Sequence, residues 1–140
     1  MPLAPPGPIT PGVYPGSGQA ALLRANEQQY LFRQQLIATG QASIAVQLER
    51  IKSAFYPFGA SLQIWFTDVN GAAADPGTFE VDAQTSDLDI DAMFANTTGL
   101  TALNTSFAGR IELPLLYAKY LRVLAETVTN AVYSNVLVTR

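Results

Sequence analysis

Residues 115–139, LLYAKYLRVLAETVTNAVYSNVLVT, run with a period of two over almost their whole length. That period belongs to extended strands. A polar pair, Thr129-Asn130, interrupts the run, so the stretch predicts two long strands around a short turn. Tyr117, Leu121, Val123 and Ala125 fall on one face, with Lys119 among them, while Tyr120, Arg122, Leu124, Glu126 and Val128 fall on the other. A strand buried on one side only would leave its second face mostly polar. Tyr120, Leu124 and Val128 keep this one apolar, so it is expected to be covered, and those three side chains become candidate partner contacts.

The same period recurs upstream. Ile44, Val46 and Leu48 alternate with Ser43, Ala45 and Gln47, and Leu62, Ile64 and Phe66 alternate with Ser61, Gln63 and Trp65. Phe79, Val81 and Ala83 alternate with Glu80 and Asp82. Phe55-Tyr56-Pro57-Phe58-Gly59 reads as an aromatic corner, and DVNGAAADPG (68–77) as a loop carrying Asn-Gly and Pro-Gly turn signals. Residues 85–96 read as a polar connection, and 97–110 as short strands and turns. Strands joined by turns rather than by helices favour an antiparallel sandwich or jelly roll over a parallel sheet. We therefore expect a mainly β fold over 40–140, in which Leu121, Val123 and Ala125 pack against Ile44, Leu62 and Phe79.

Two other compositions precede it. Residues 1–18 hold six Pro and four Gly; Pro fixes its φ and offers no amide hydrogen, so this segment reads as an extended arm. At about 3.1 Å per residue it would reach roughly 55 Å, with Ile9, Val13 and Tyr14 as apolar anchors for a neighbouring subunit. Residues 19–39, QAALLRANEQQYLFRQQLIAT, contain good helix formers behind a candidate N-cap, Ser17. They predict one short helix over 19–29. Residues 28–38 fit either a strand or a helix, and Thr39-Gly40 stops either one.

With 140 residues the chain can bury a real core without staples. It has no Cys and no His, so it lacks thiolate chemistry, the commonest general base and the commonest transition-metal ligand. These absences argue against an enzyme. Eight basic residues are scattered from Arg24 to Arg140 against 11 acidic ones, without the basic stripe that phosphate binding needs. No nucleic-acid partner is expected. No apolar run reaches the roughly 20 residues of a membrane helix, and the start lacks the charged and apolar regions of a signal peptide. A chain made in a cytoplasm and assembled there is the expectation. The charged fraction is 14%, against roughly 25% in an ordinary soluble domain, which points both to a surface rich in Gln, Asn, Ser and Thr and to one partly covered by a partner.

The remaining candidates for chemistry are few. Asp87, Asp89 and Asp91 in SDLDIDAM have the alternate-oxygen spacing that begins a calcium loop. Ala92 stands where such a loop needs Gly and Thr98 where it needs a bidentate Glu, which excludes an EF-hand and leaves a solvated acidic loop as the simpler reading. Glu80, Asp82 and Asp87 could serve a carboxylate hydrolase only across a cleft, and nothing in the sequence indicates one. No nucleophile elbow or phosphate loop is present, and no cofactor or metal is expected. Trp65 lies between core-facing Ile64 and Phe66, so its ring is expected to point outward, beside a partner subunit or a stacked sugar.

The order of a Pro-rich arm, FYPFGASLQIWF, PGTFEVDAQTSDLD and AGRIELPLLYAKYLRVLAETVTNAVYSNVLVTR resembles the cement, or decoration, proteins of tailed bacteriophages. The resemblance covers residues 55–140 best and the arm by composition. It implies a jelly-roll β-sandwich, dimeric, that binds the outside of the capsid on the virion and bridges major capsid protein subunits. A glycan- or receptor-binding module of a phage tail or fibre is the alternative.

Overall fold

The computed structural model describes residues 20–48, 59–105, 108–113, 116 and 118–140. The arm with Ile9, Val13 and Tyr14, the aromatic corner at 55–58 and Tyr117 lie outside the described residues. The alternating runs form strands: β1 (Ala21–Leu23), β2 (Gln28–Leu36), β3 (Val46–Leu48), β4 (Ala60–Thr67), β5 (Phe79–Ser86), β6 (Ala95–Asn96), β7 (Leu103–Asn104), β8 (Gly109–Leu113), β9 (Tyr120–Val128) and β10 (Tyr133–Thr139). One 3-10 turn, Asp91–Met93, is the helical element among the described residues.

The strands make two sheets. The first has the order β1-β3-β9-β5-β6, with β7 also on β5, and the second has the order β2-β10-β4-β8. All pairings are antiparallel except β1 with β3. The expected core face packs except at Ile44, which is only half-buried while Ser43 and Ala45 on either side of it are buried. Leu121, Val123 and Ala125 of the first sheet meet Leu62, Ile64 and Phe66 of the second in one cluster with Val81, Val136 and Val138. Phe66 and Phe79 join the sheets edge to face, their ring centroids 4.9 Å apart.

Three expectations need correcting. Residues 19–29 do not form a helix among the described positions. Ala21–Leu23 pairs with Val46–Leu48, burying Leu23, and a turn through Asn26, at φ 65°, leads into β2. The helix propensity of AALLRA is worth only tenths of a kcal/mol per residue; ladder bonds and a buried Leu outweigh it.

The two strands of 115–139 are not a hairpin either. β9 lies in the first sheet and β10 in the second, so the Thr129-Asn130 turn carries the chain across the core. The 75–78 loop holds that turn: Thr129 Oγ1 accepts from Thr78 N–H at 2.7 Å, and Asn130 Nδ2 donates to Asp75 O at 3.0 Å. Gly77 is required here, because its φ is 67° and a Cβ would run into Thr129 Oγ1 and Asn130.

The third correction concerns Val128. Thr127 pairs with Glu80 and Ala125 with Val81, so Glu126 is an extra residue in the ladder. Such a bulge reverses the alternation beyond it. Val128 therefore packs against the core instead of sharing the outer face with Tyr120 and Leu124.

Candidate functional site

The second face of β9 is covered by the chain itself. In register across the ladder, Tyr120 faces Ser86, Arg122 faces Gln84 and Leu124 faces Asp82. Arg122, Gln84, Ser86 and Asp82 are all buried, although they point away from the core. Asp91 and Phe94 lie against Arg122, and residues 95–104 run along the β5 edge beside Gln84 and Asp82. Arg122 Nε donates to Gln84 Oε1 at 2.9 Å, its Nη1 pairs with Asp91, and its guanidinium sits 4.3 Å from the centre of the Phe94 ring. Gln84 Nε2 donates to Asn96 Oδ1, and Asn96 Nδ2 reaches Asp82 Oδ2. Asp82 Oδ1 accepts from Ala102 N–H at 2.8 Å. Arg122, Gln84, Ser86 and Asp82 each have a partner, which makes a polar layer tolerable outside a β core.

This layer holds residues 87–93 in place. Ser86 Oγ bonds both the N–H and the carbonyl of Leu88, Asp89 accepts from Ala20 N–H, and Met93 N–H closes a turn on Ile90 O. The fixed loop leaves Leu88, Ile90 and Met93 about half exposed, at 51, 50 and 53%. Asp87 is exposed, and Asp91 turns one oxygen to Arg122 while remaining 70% exposed. The loop thus presents large apolar side chains between carboxylates on an ordered backbone. Sequence reading singled out the three Asp here and passed over Leu88, Ile90, Met93 and Arg122. The alternation D-L-D-I-D is the local signal that places apolar side chains between the carboxylates.

Asp89 and Asp91 serve different partners, Asp87 is exposed, and the described residues contain no group of three acidic side chains arranged to hold a metal ion. Glu80, Asp82 and Glu126 do approach one another at the β9 bulge. The Glu126 carboxyl is held above its ordinary value of 4.5, first by donating a hydrogen bond to Asp82 when protonated, then by desolvation and by the charges of Asp82 and Glu80; Ala102 N–H acts in the opposite sense. A raised carboxyl contributes stability that is fully present below 4.5 and is lost as pH rises through the raised value. Glu126→Gln is therefore expected to melt higher than the parent at pH 7 to 8, with the gain vanishing below about pH 4. Thermal melts across that range check the sign.

The named contact residues divide between the two sheets. Tyr120 and Leu124 are half-buried on the outer face of the first sheet, with the Lys119 ammonium 5.6 Å from the Tyr120 ring centre. Trp65 stands on the outer face of the second, its ring 5.9 Å from that of Tyr30 and inclined at 62°. They do not form one surface. No family model matches the chain, and neither a curated protein nor a solved structure matches it.

Proposed function

We propose that this chain is a structural assembly protein: a cement protein that binds the outside of a tailed-phage capsid and bridges major capsid subunits. One observation carries the reading. Leu88, Ile90 and Met93 are held half exposed on a loop fixed from beneath by Arg122, Gln84 and Phe94. A fixed apolar loop binds a protein surface without first giving up its own conformational freedom. The Ile9, Val13 and Tyr14 arm supplies a second, linked contact.

The strand order supports the jelly-roll part of the proposal. β2-β10-β4-β8 and β3-β9-β5-β6 are the two sheets produced when β2–β10, β3–β9, β4–β8 and β5–β6 pair as one nested ribbon that is then wrapped over itself. On this reading 87–94 is the tip of the ribbon.

The test is co-sedimentation with capsids of the phage that encodes the chain, prepared without it. A Leu88→Ser/Ile90→Ser/Met93→Ser variant should bind at least about tenfold more weakly while melting as the parent does. Deleting residues 2–16 should release the protein with the sandwich still folded. Parental affinity in both would sink the reading. The glycan-binding alternative has the half-exposed Trp65 in its favour, but the inclined Tyr30 ring denies it a flat stacking platform. Retention on a glycan array, abolished by Trp65→Ala, would revive it.

A further inference from the structure

A period of three runs through the start of the chain, apart from the period of two that builds the sheets. Pro2, Pro5, Pro8 and Pro11 recur at every third position of PLAPPGPITP. A polyproline II helix has three residues per turn and rises about 3.1 Å per residue, so in that conformation the four rings form one ridge at a spacing of about 9 Å. Pro6 and Pro15 fall off the ridge. Such a helix makes no internal hydrogen bonds, which leaves its carbonyls open to donors. Residues 1–18 carry no charged side chain.

The outer face of the second sheet offers what this ridge needs. Leu62, Ile64, Phe66, Val136 and Val138 enter the core, so their neighbours along β4 and β10 face outward. Register places Tyr30, Trp65, Tyr133 and Leu137 there: Leu137 pairs with Tyr30, Asn135 with Trp65 and Tyr133 with Thr67. All four are half-buried. The Tyr30 and Trp65 rings stand 5.9 Å apart and are inclined at 62°. Two inclined rings make a notch for a Pro ring, where a sugar needs a flat platform. Tyr133 lies two residues along and one strand over from Trp65, roughly 8 Å away by strand geometry. That spacing is close to one turn of the ridge.

Hydrogen bonding points the same way. The amides at the centre of the face are already paired, with Gln34 N–H donating to Asn135 Oδ1 at 2.8 Å and Gln34 Nε2 to Thr67 Oγ1 at 3.0 Å. The Trp65 indole N–H and the Tyr30 and Tyr133 hydroxyls have no hydrogen-bond partner among the described residues. Three donors on aromatic side chains are therefore open to the carbonyls of a bound segment.

We propose that this face is a polyproline II docking site, and that its occupant in the free protein is the chain's own segment 2–11. Aromatic surfaces take Pro-rich segments because the ligand is stiff beforehand and loses little entropy on binding. Connectivity favours the same chain. β1 and β2 are edge strands of the two sheets and are joined by residues 24–27 alone, so the arm leaves the sandwich on the side where β2 ends the second sheet. Residues 12–20, at about 3.1 Å each, reach roughly 28 Å, against the roughly 10 Å between packed sheets. A tether long enough to span its sites holds the segment at a high effective concentration. This resting place belongs to the isolated chain and goes beyond the capsid contact proposed above; the arm leaves it to reach a capsid.

The test uses the isolated full chain. Trp65 is the single Trp, so its emission reports on the face. Deleting residues 2–11 should move that emission to the red while circular dichroism stays parental. Pro5→Ala/Pro8→Ala should reproduce the red shift. Pro6→Ala/Pro15→Ala removes as many Pro from off the ridge and should leave the emission parental. Dilution of the parent should not move it.

Emission indifferent to the deletion overturns the proposal, as do equal shifts from the two double variants. Parental emission that moves to the red on dilution overturns it in favour of a second copy on this face. Emission indifferent to the deletion, with retention on a glycan array that Trp65→Ala abolishes, overturns it in favour of a sugar site.

Discussion

Phe32→Ala is expected to cost about 3–5 kcal/mol of folding stability, the range for removing a large aromatic side chain from a packed core. Phe32 is 1% exposed and pairs with Val136 in β10. Were residues 28–38 a helix lying over one end of the sheet, the same change would cost far less. A urea titration of parent and variant, with the midpoint lowered and the slope unchanged, separates the two arrangements. The loss should be global, because Phe32 belongs to the cluster that joins both sheets.

Arg122→Ala is expected to be nearly as damaging, at about 2–4 kcal/mol, although Arg122 points away from that core. It strands the buried Gln84 acceptor, for which the penalty is about 1–3 kcal/mol, and removes the packing beneath Phe94. Leu121→Ala, one residue earlier on the opposite face, should cost about 2–5 kcal/mol. Two adjacent strand residues with comparable penalties mark a strand covered on both sides. Arg122→Lys should fall between parent and Ala, since an ammonium cannot serve Gln84 and Asp91 as a guanidinium fork does. Hydrogen exchange over 87–97 should rise in both variants before the rest of the chain is affected.

Alternation was enough to place β4, β5 and β9 and to choose their core faces. Leu62, Ile64, Val81 and Leu121 are buried as that pattern requires. It failed where the ladder slips. In β2, Leu31 is an extra residue between Tyr30 and Phe32, and a second irregularity surrounds Arg33 and Gln34, the latter at φ 49°. Leu31 and Phe32 both enter the core, which no period of two allows, and the run consequently resembled a helix as well as a strand. The bulge at Glu126 misplaced Val128 for the same reason. A bulge is set by the partner strand, and the partner is not written beside it in the sequence.

The site was legible in outline only. An apolar second face on β9 indicated that something covers it, and the SDLDIDAM run supplied part of the cover. That the cover is a polar layer could not be read locally, since Arg122 meets Gln84 and Asp91 only after β5, the loop and β9 have come together. The Thr129-Asn130 turn was also visible as a turn, but its direction, across the core rather than back along one sheet, is set by the Asp75–Gly77 loop that it grips.

The nesting of the strand pairs has a consequence for the order in which the molecule can be made. Gln84 and Asn96, in the innermost pair, are 12 residues apart, whereas Gln34 and Asn135, in the outermost, are 101 apart. Closing the longer loop from an open chain costs roughly 2 kcal/mol more, so assembly should proceed outward from the 87–95 tip, each pair shortening the loop left for the next. β10 comes last in the chain, yet it lies between β2 and β4 in the middle of its sheet. While the chain is being synthesised, β2 must wait as an unpaired strand until residues 133–139 have emerged. During that interval Leu31 and Phe32 have no core to enter, and a ribosome that stalls shortly before β10 leaves a product prone to aggregate.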